Sequence, residues 1–323
     1  MMKPTRRAVL GSALALPFAS PALAFPDRPV RLVLGFPAGT GPDVVARILA
    51  DALREAWPVA GAVVDNRPGA AGHIAAQEVA RAAPDGTTLL FGEVGQLAMA
   101  PSTYARLSYD PARDFAPVAE VAAIEFAFVV PASVPANDLA GFLDWARAQP
   151  QVFMATFGAG TPGHFGASIL AAGARINMEA VHFRSTGEAM TAVLNGNVQG
   201  MFGSTVLVAQ HVANGRVKAL ATTGATRSPL LPAVPTMAEL NLPRLGFEAW
   251  FGLVAPAATP EAALAALEAA TLRALAVPAT QARLRDAGFR ATAKGRAAFA
   301  AHIRDETARW AAVVRETGFR ALE

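Results

Sequence analysis

The sequence predicts an α/β fold in which parallel-dominated sheets are flanked by helices and the chain forms two lobes. Apolar runs of strand length alternate with helical periodicity along almost the whole chain, which is typical of parallel sheets covered by helices. The 323 residues suffice for a large core or two domains. No tandem repeat or low-complexity linker interrupts the alternation.

The first 24 residues have the pattern of a secretory signal peptide. Three basic residues within the first seven positions precede an apolar stretch from Ala8 to Phe18, and an A-x-A-like sequence ends at Ala24. The pair Arg6-Arg7 fits the twin-arginine route and an ordinary signal equally well. Cleavage after Ala24 would leave an exported, periplasmic chain that begins at Phe25.

Composition excludes several classes of function. The formal charge of +3 equals the three bases of the signal segment, so the remaining chain is near neutral and gives no indication of nucleic-acid binding. The absence of cysteine excludes disulfides, thiolate catalysis and cysteine metal sites. The histidines have no metal-ligand spacing, and we expect neither metal nor cofactor; they are His73, His164, His182, His211 and His302.

The first predicted unit is a strand, a glycine turn and a helix. An apolar run from Val30 to Leu34 ends at a turn that contains Gly39 and Gly41. Pro42 suits the first helical position, and Asp43 suits the positive end of a helix. Such a turn leaves backbone N–H groups free, so it is either a candidate anion site or only a connection. It matches neither nucleotide-binding motif, GxxxxGK[ST] or GxGxxG.

The remaining elements follow in order. Strands are predicted at 59–65, 87–92, 118–122, 126–130, 152–157, 179–182, 198–202, 217–222 and 247–255. Helices are predicted up to about 81 and at 98–105, 139–148, 163–174, 188–195, 206–212, 261–275, 280–286 and 299–316. The second sheet begins near Phe126 and the chain returns near Trp250, which predicts lobe 1 at 25–125 plus 250–323 and lobe 2 at 126–249. Ligands of such folds lie beyond the carboxyl ends of strands, here in a cleft between the lobes.

Several segments in a consistent order carry a family resemblance. They include PDRPVRLVLGFPAGTGPDVVAR, VVDNRPGAAGHIAA, APDGTTLLFG, FGAGTPGHFGASIL, VHFRSTGEAMTAVLNGNVQGMF and FEAWFGLVAPAATP. In these segments the chain resembles the Bug or TctC-type receptors, the periplasmic solute-binding proteins of tripartite tricarboxylate transporters. The resemblance implies a monomeric Venus-flytrap protein that closes on a small carboxylated molecule and delivers it to membrane permease subunits.

The resemblance also implies that the first loop holds a ligand carboxylate, largely through backbone amides. The matching positions are Phe36, Ala38, Gly39, Thr40 and Gly41. The family usually has three glycines followed by Thr-Asp, whereas this chain has Pro42 before Asp43 and thereby loses one amide donor and one hydroxyl.

Further site positions follow from the same resemblance. In lobe 1 they are Glu93, Gly95 and Gln96, where relatives tend to have small hydroxyl residues and a histidine. In lobe 2 they are Thr156, Phe157, Gly158, Thr161, His164, Arg184 and Ser204.

Four of these side chains have two interpretations each. Glu93 either faces an ammonium or hydroxyl of the ligand or is a solvated carboxylate, and Phe157 either forms an apolar wall or packs in the core. His164 suits a capping or hinge role better than ligand contact. Arg184 either reaches a carboxylate or lies on the surface. These departures predict an unusual ligand relative to the common di- and tricarboxylates.

Two alternative functions remain open. A liganded receptor of the same fold could serve as the sensing input of a two-component system and dock on a sensor kinase. An exported α/β enzyme is the weaker alternative, because Ser168 and Ser204 lack the GxSxG context of a nucleophile elbow. The sequence therefore predicts a solute-binding protein without catalytic residues.

Overall fold

The computed structural model describes residues 25–57, 60–183, 185–320 and 322. The predicted signal segment and Arg184 lie outside the described residues. The strands are β1 Val30–Leu34, β2 Ala62–Asn66, β3 Thr88–Glu93, β4 Phe115–Pro131, β5 Val152–Thr156, β6 Met178–His182, β7 Gly200–Ser204, β8 Val217–Thr222, β9 Glu248–Pro256 and β10 Arg290–Gly295. The helices are α1 Gly41–Ala56, α2 His73–Ala80, α3 Ala100–Thr103, α4 Pro111–Asp114, α5 Leu139–Arg147, α6 Pro162–Ala174, α7 Thr186–Leu194, α8 Thr205–Ala213, α9 Glu261–Ala276, α10 Pro278–Asp286 and α11 Arg296–Thr317.

The strands pair in the order β2-β1-β3-β9-β4-β7-β5-β6, and β8 and β10 also pair with β4. The α/β fold class is confirmed, with helices flanking the sheet. Pairing is mixed: among the described strands, β1 with β2 and β3, and β5 with β6 and β7, are parallel, whereas every pairing of β4 and β9 is antiparallel. The parallel pairs thus occupy the two ends of the sheet.

Strand β4 joins the two regions of the sheet. Its first part pairs with β9 and β10, and its second part, from Phe126 onwards, pairs with β7 and β8. The sequence predicted two strands here, at 118–122 and 126–130, but the structure has one. The intervening residues Ala123, Ile124 and Glu125 include no turn former, so the chain continues extended.

Strand β10 is an element that the sequence did not predict. Its residues, RATAKG, are polar or small and none is fully buried, so they lack the apolar run on which strand prediction depends. The strand forms because β4 offers it an antiparallel partner, with Arg290 opposite Ala123 and Gly295 opposite Ala119.

Helix α1 illustrates how the local sequence produces the elements beside the candidate site. Proline occupies its first turn, and Asp43 follows in the same turn. Val45, Ile48, Leu49 and Leu53 recur at helical spacing and are all buried, which packs the helix against the sheet. The N-terminus of α1 therefore lies where β1 ends.

Within the described residues no single helix is long and apolar enough to cross a membrane, although α9 and α10, bent by 73°, pass that test as a pair by length and composition. The same part of the chain contains no group of three or more histidine, cysteine or acidic residues that could hold a metal ion.

Candidate functional site

The carboxyl ends of strands from both regions of the sheet face one short stretch of β4. Glu93, the last residue of β3, pairs with Phe251, which pairs with Ala122 of β4. Ser204, the last residue of β7, pairs with Phe126 of β4. Ala122 and Phe126 are four residues apart, or about 13 Å along a strand. Ligands of open α/β sheets bind beyond such strand ends, so this stretch marks the candidate cleft.

The loop after β1 is held by a buried carboxylate. Asp43 is 2% exposed and accepts hydrogen bonds from Gly39 N, Arg47 Nε and Asn66 Nδ2, each at 2.9 Å. Asn66 Nδ2 also donates to the carbonyl of Phe36 at 2.9 Å. Burial opposes ionisation of Asp43, but the hydrogen bonds from Arg47, Gly39 and Asn66 outweigh it and lower its pKa. The loop is thus fixed by an ionised aspartate.

This arrangement decides which amides remain available to a ligand. Gly39 N–H is committed to Asp43, and both the N–H and the hydroxyl of Thr40 donate to the carbonyl of Pro37, at 3.4 and 2.7 Å. Within the described residues the N–H groups of Gly41 and Asp43 make no hydrogen bond. Of the predicted loop contacts, Ala38, Gly39 and Gly41 are exposed, and Phe36 and Thr40 are half-buried.

The end of β3 and the residues that follow it supply one carboxylate, Glu93, and one positioning side chain, Gln96. Gln96 is fully buried: its Nε2 donates to Gly72 O at 2.7 Å and its Oε1 accepts from Glu93 N at 3.2 Å, which favours a positioning role over the predicted ligand contact. Glu93 is half-buried and not a solvated loop carboxylate. Burial raises the pKa of Glu93 to about 7, although the N–H groups of Gly95 and Gln96 donate to its carboxylate.

Tyr104 and Tyr109 lie beside Glu93, and His73 contacts both tyrosines. Tyr109 OH donates to Gln96 O at 2.9 Å, so the 2.8 Å contact between Tyr109 OH and His73 Nδ1 requires a proton on that nitrogen. His73 Nε2 is then an acceptor, and it is buried without a partner in the described structure. Tyr104 packs edge-on against His73, with their ring centroids 4.4 Å apart. Burial, followed by the charge of Glu93, raises the pKa of both tyrosines.

The loop after β5 is closed by its own side chains. Thr161 caps α6: its hydroxyl accepts from His164 N at 3.4 Å and donates to Gly158 O at 2.9 Å. Gly160 N donates to His164 Nδ1 at 3.1 Å, which places the proton of the neutral ring on Nε2. His164 therefore braces the loop, as its predicted capping role requires.

Two histidines that sequence reasoning treated as unrelated form a pair. The rings of His164 and His182 are 4.9 Å apart and nearly perpendicular, at 86°. Thr156 is 1% exposed, and its hydroxyl lies 2.5 Å from His182 Nδ1, so it orients His182 and does not itself face the cleft. Burial lowers the pKa of both histidines, that of His164 to about 4 with a further contribution from His182. The pair escaped detection because its members are 18 residues apart on different elements.

Phe157 follows β5 and Ser204 ends β7, in the second region of the sheet. Phe157 is half-buried and stacks on Phe126, with centroids 6.2 Å apart and planes at 12°, so it packs against β4, and its role as a wall of the cleft stays a prediction. Ser204 is half-buried and precedes α8, but its hydroxyl does not cap that helix.

A further contact joins elements of the two predicted lobes. Phe289 lies against Gly41, where an added Cβ would come within 3.0 Å of its Cζ atom. The adjacent Gly288 has φ +81°, and a Cβ there would overlap Val206 in the first turn of α8. The segment before β10 thus contacts both the first loop and the helix after Ser204, which no sequence signal indicated.

Asn66 is a residue of the site that sequence reasoning could have found. It is the last residue of β2, and carboxyl ends of parallel strands meet at the same edge of a sheet. Its bonds to Phe36 and Asp43 join the ends of β1 and β2.

Comparisons with known proteins agree with this architecture. The sequence profile described as the tripartite tricarboxylate transporter family receptor matches residues 38–319. The chain is 32% identical to the protein BugT of Bordetella pertussis, over 96% of this chain and 97% of that protein. The R. palustris protein Rpa4515, solved with adipate, superposes with a TM-score of 0.82 at 29% identity, over 92% of this chain and 100% of that one. MatC from Rhodopseudomonas palustris, with bound malate, has a TM-score of 0.77 at 32% identity, over 90% and 100%. The predicted fold class and family resemblance are both confirmed.

Proposed function

Because the chain belongs to the family of tripartite tricarboxylate transporter receptors, we propose that it binds a small carboxylated solute beside the stretch of β4 between Ala122 and Phe126 and delivers it to the membrane subunits of such a transporter. Receptors of this family are periplasmic binding proteins. We propose that this chain is exported, with cleavage after Ala24, acts as a monomer and does not transform its ligand.

The observation that carries the proposal is that the N–H groups of Gly41 and Asp43 make no hydrogen bond to any residue that the structure describes. They lie at the N-terminus of a 16-residue helix, which carries partial positive charge and favours anions. Asp43 does not cancel this effect, because its carboxylate is paired with Arg47 and Asn66. Relatives of the same fold are described with adipate and with malate, both carboxylates.

Closure of two lobes on the ligand is the second part of the proposal. The lobes are 25–125 plus 250–323 and 126–249, and β4 and the segment leading into β9 form the hinge between them. A ligand that touches both lobes favours the closed arrangement by its differential affinity for the two states. In this arrangement Ser204 and Phe157 approach the ligand from lobe 2.

A calorimetric screen with scattering tests the proposal. Matched acid–amide pairs (hexanoate and hexanamide, adipate and adipamide, malate and malamide) are titrated into the cleaved protein. We expect at least one acid to bind, its amide to fail, and the radius of gyration to fall on saturation. Recovery of the acid unchanged after incubation is expected of a receptor. Binding of amides as well as acids, or turnover of the acid, would contradict the proposal.

A further inference from the structure

The end of β3 offers hydrogen-bond acceptors that the described protein does not satisfy. The carboxylate of Glu93 accepts the N–H groups of Gly95 and Gln96 and has lone pairs to spare. His73 is 9% exposed, and its Nε2 is a buried acceptor without a partner. Tyr104 connects the two groups, because it packs on His73 and its pKa responds to the charge of Glu93. Of these acceptors the half-buried carboxylate of Glu93 is the one that a donor group of a bound molecule would satisfy.

Within residues 25–57, 60–183, 185–320 and 322, the same corner has no positive charge of its own. Among the described residues no cationic side chain contributes to the pKa of Glu93, which burial raises to about 7. The base that follows the first loop, Arg47, is hydrogen-bonded to Asp43 and Asn66. A half-buried carboxylate without a counter-ion is unfavourable, and a cation supplied by a ligand would remove that cost.

We propose that the ligand carries an ammonium group in addition to its carboxylate, and that Glu93 is the counter-ion of that group. The inference rests on the proposed function, since it assigns the second end of the same ligand. The carboxylate end lies at the N–H groups of Gly41 and Asp43, and the ammonium end lies at Glu93. An ammonium group has three donors, and the carboxylate of Glu93 has lone pairs left to accept from them.

This placement predicts different affinities for amino acids and for dicarboxylates of equal length. A second carboxylate beside Glu93 would meet a like charge, and Glu93 would have to take up a proton before the dicarboxylate could bind. An ammonium at the same point favours the ionised form of Glu93. The two ligand classes therefore respond oppositely to the charge at this position.

Calorimetry with ligands that differ only at one end tests the assignment. The pairs are 4-aminobutanoate with succinate, 5-aminopentanoate with glutarate, and 6-aminohexanoate with adipate, each titrated at pH 8. We expect the amino acid of at least one pair to bind at least tenfold more tightly than its diacid. Glu93→Gln should remove this preference, whereas Glu93→Asp should retain part of it. Glu55→Gln, which neutralises an exposed carboxylate at the end of α1, is the matched control and should leave the preference unchanged.

The pH dependence of the affinity for the amino acid is a second test, because a merely structural role of Glu93 would not produce it. From pH 6 to pH 8 the ionised fraction of a group with a pKa near 7 rises about tenfold, so the amino acid should bind up to tenfold more tightly. Glu93→Gln should abolish this rise. Tyr104 and Tyr109, beside Glu93, do not oppose this rise in affinity because burial raises their pKa. His73, which contacts both tyrosines, does not oppose it either because burial lowers its pKa.

The possible results separate the inference from the proposed function. A diacid that binds as tightly as its amino acid, or a Glu93→Gln variant that weakens both members of a pair equally, would overturn the ammonium assignment and leave the carboxylate receptor intact. Failure of every acid in the series to bind the wild-type protein would contradict the proposed function and this inference together.

Discussion

Replacement of Gly288 by alanine is expected to weaken ligand binding by hindering the approach of helix α8 to the segment before β10. Gly288 has φ +81°, and the space where its Cβ would lie is occupied by a methyl group of Val206. Val206 belongs to the first turn of α8, two residues after Ser204, and is 40% exposed. The contact joins the proposed lobes, so an obstacle here opposes closure.

The expected effect has two parts that different measurements separate. A left-handed backbone costs an alanine about 1–2 kcal/mol, and this cost lowers the stability of the folded chain whether the cleft is open or closed. The overlap with Val206 exists only when the two segments are in contact, so it acts on closure alone. A closure penalty of about 1.4 kcal/mol would weaken the apparent affinity tenfold.

A double-mutant cycle tests this division. Calorimetry should show at least tenfold weaker binding for Gly288→Ala and recovery when Val206→Ala removes the obstructing methyl groups, while the loss of thermal stability persists. Gly215→Ala is the matched control: its φ is +65° and nothing lies within 4 Å of the added Cβ, so it should lose stability without losing affinity. Unchanged affinity of Gly288→Ala, or no recovery in the double variant, would refute the reasoning.

Three further outcomes are expected. Gly39→Val should weaken ligand binding strongly in calorimetry, because Gly39 has φ +81° and its N–H donates to Asp43. Thr40→Ala should lower the binding free energy by only about 0.5–1.5 kcal/mol, since it removes one neutral hydrogen bond, to Pro37 O. Glu120→Gln should lower the free energy of unfolding in urea by about 2–3 kcal/mol at pH 7. The carboxylate is 1% exposed and bonded to Lys294 and His302, although the partial exposure of Lys294 keeps the cost below that of a fully buried pair. Burial opposes ionisation of Glu120, but the bonds from His302 and Lys294 lower its pKa below 4.5. The greater stability of the wild-type protein over Glu120→Gln should therefore hold above pH 4.5 and shrink as the pH falls further. A stability difference that stays constant down to pH 3 would contradict this origin.

The elements with strong local signals were predictable. Strand β1 was predicted at its observed bounds, and α1 begins within one residue of the predicted start, because an apolar run, Pro42 and Asp43 each specify their own position. The boundaries of β8 and the start of α9 also agree with the prediction. The first loop was identified as a candidate anion site from the same residues, and the family resemblance supplied the other loops around the cleft.

Within that loop the sequence did not decide which amides are free. The expectation that the glycine amides face a ligand holds only in part, because Gly39 N–H donates to Asp43. That bond depends on the side chain of Asp43, whose position is held by Asn66 from β2. Residues 23 positions apart determine it, and no local pattern records such a distance.

The sequence by itself determined which segments alternate as strands and helices, since period and punctuation are local properties of the chain. Only the tertiary structure decided how they meet. β4 became one strand serving two regions of the sheet, the polar β10 formed because β4 offered a partner, and His164 met His182. The partial burial of Glu93, without a counter-ion among the described residues, has the same origin. Desolvation and packing are set by residues distant in sequence, so the charge of the candidate site emerged only from the folded chain.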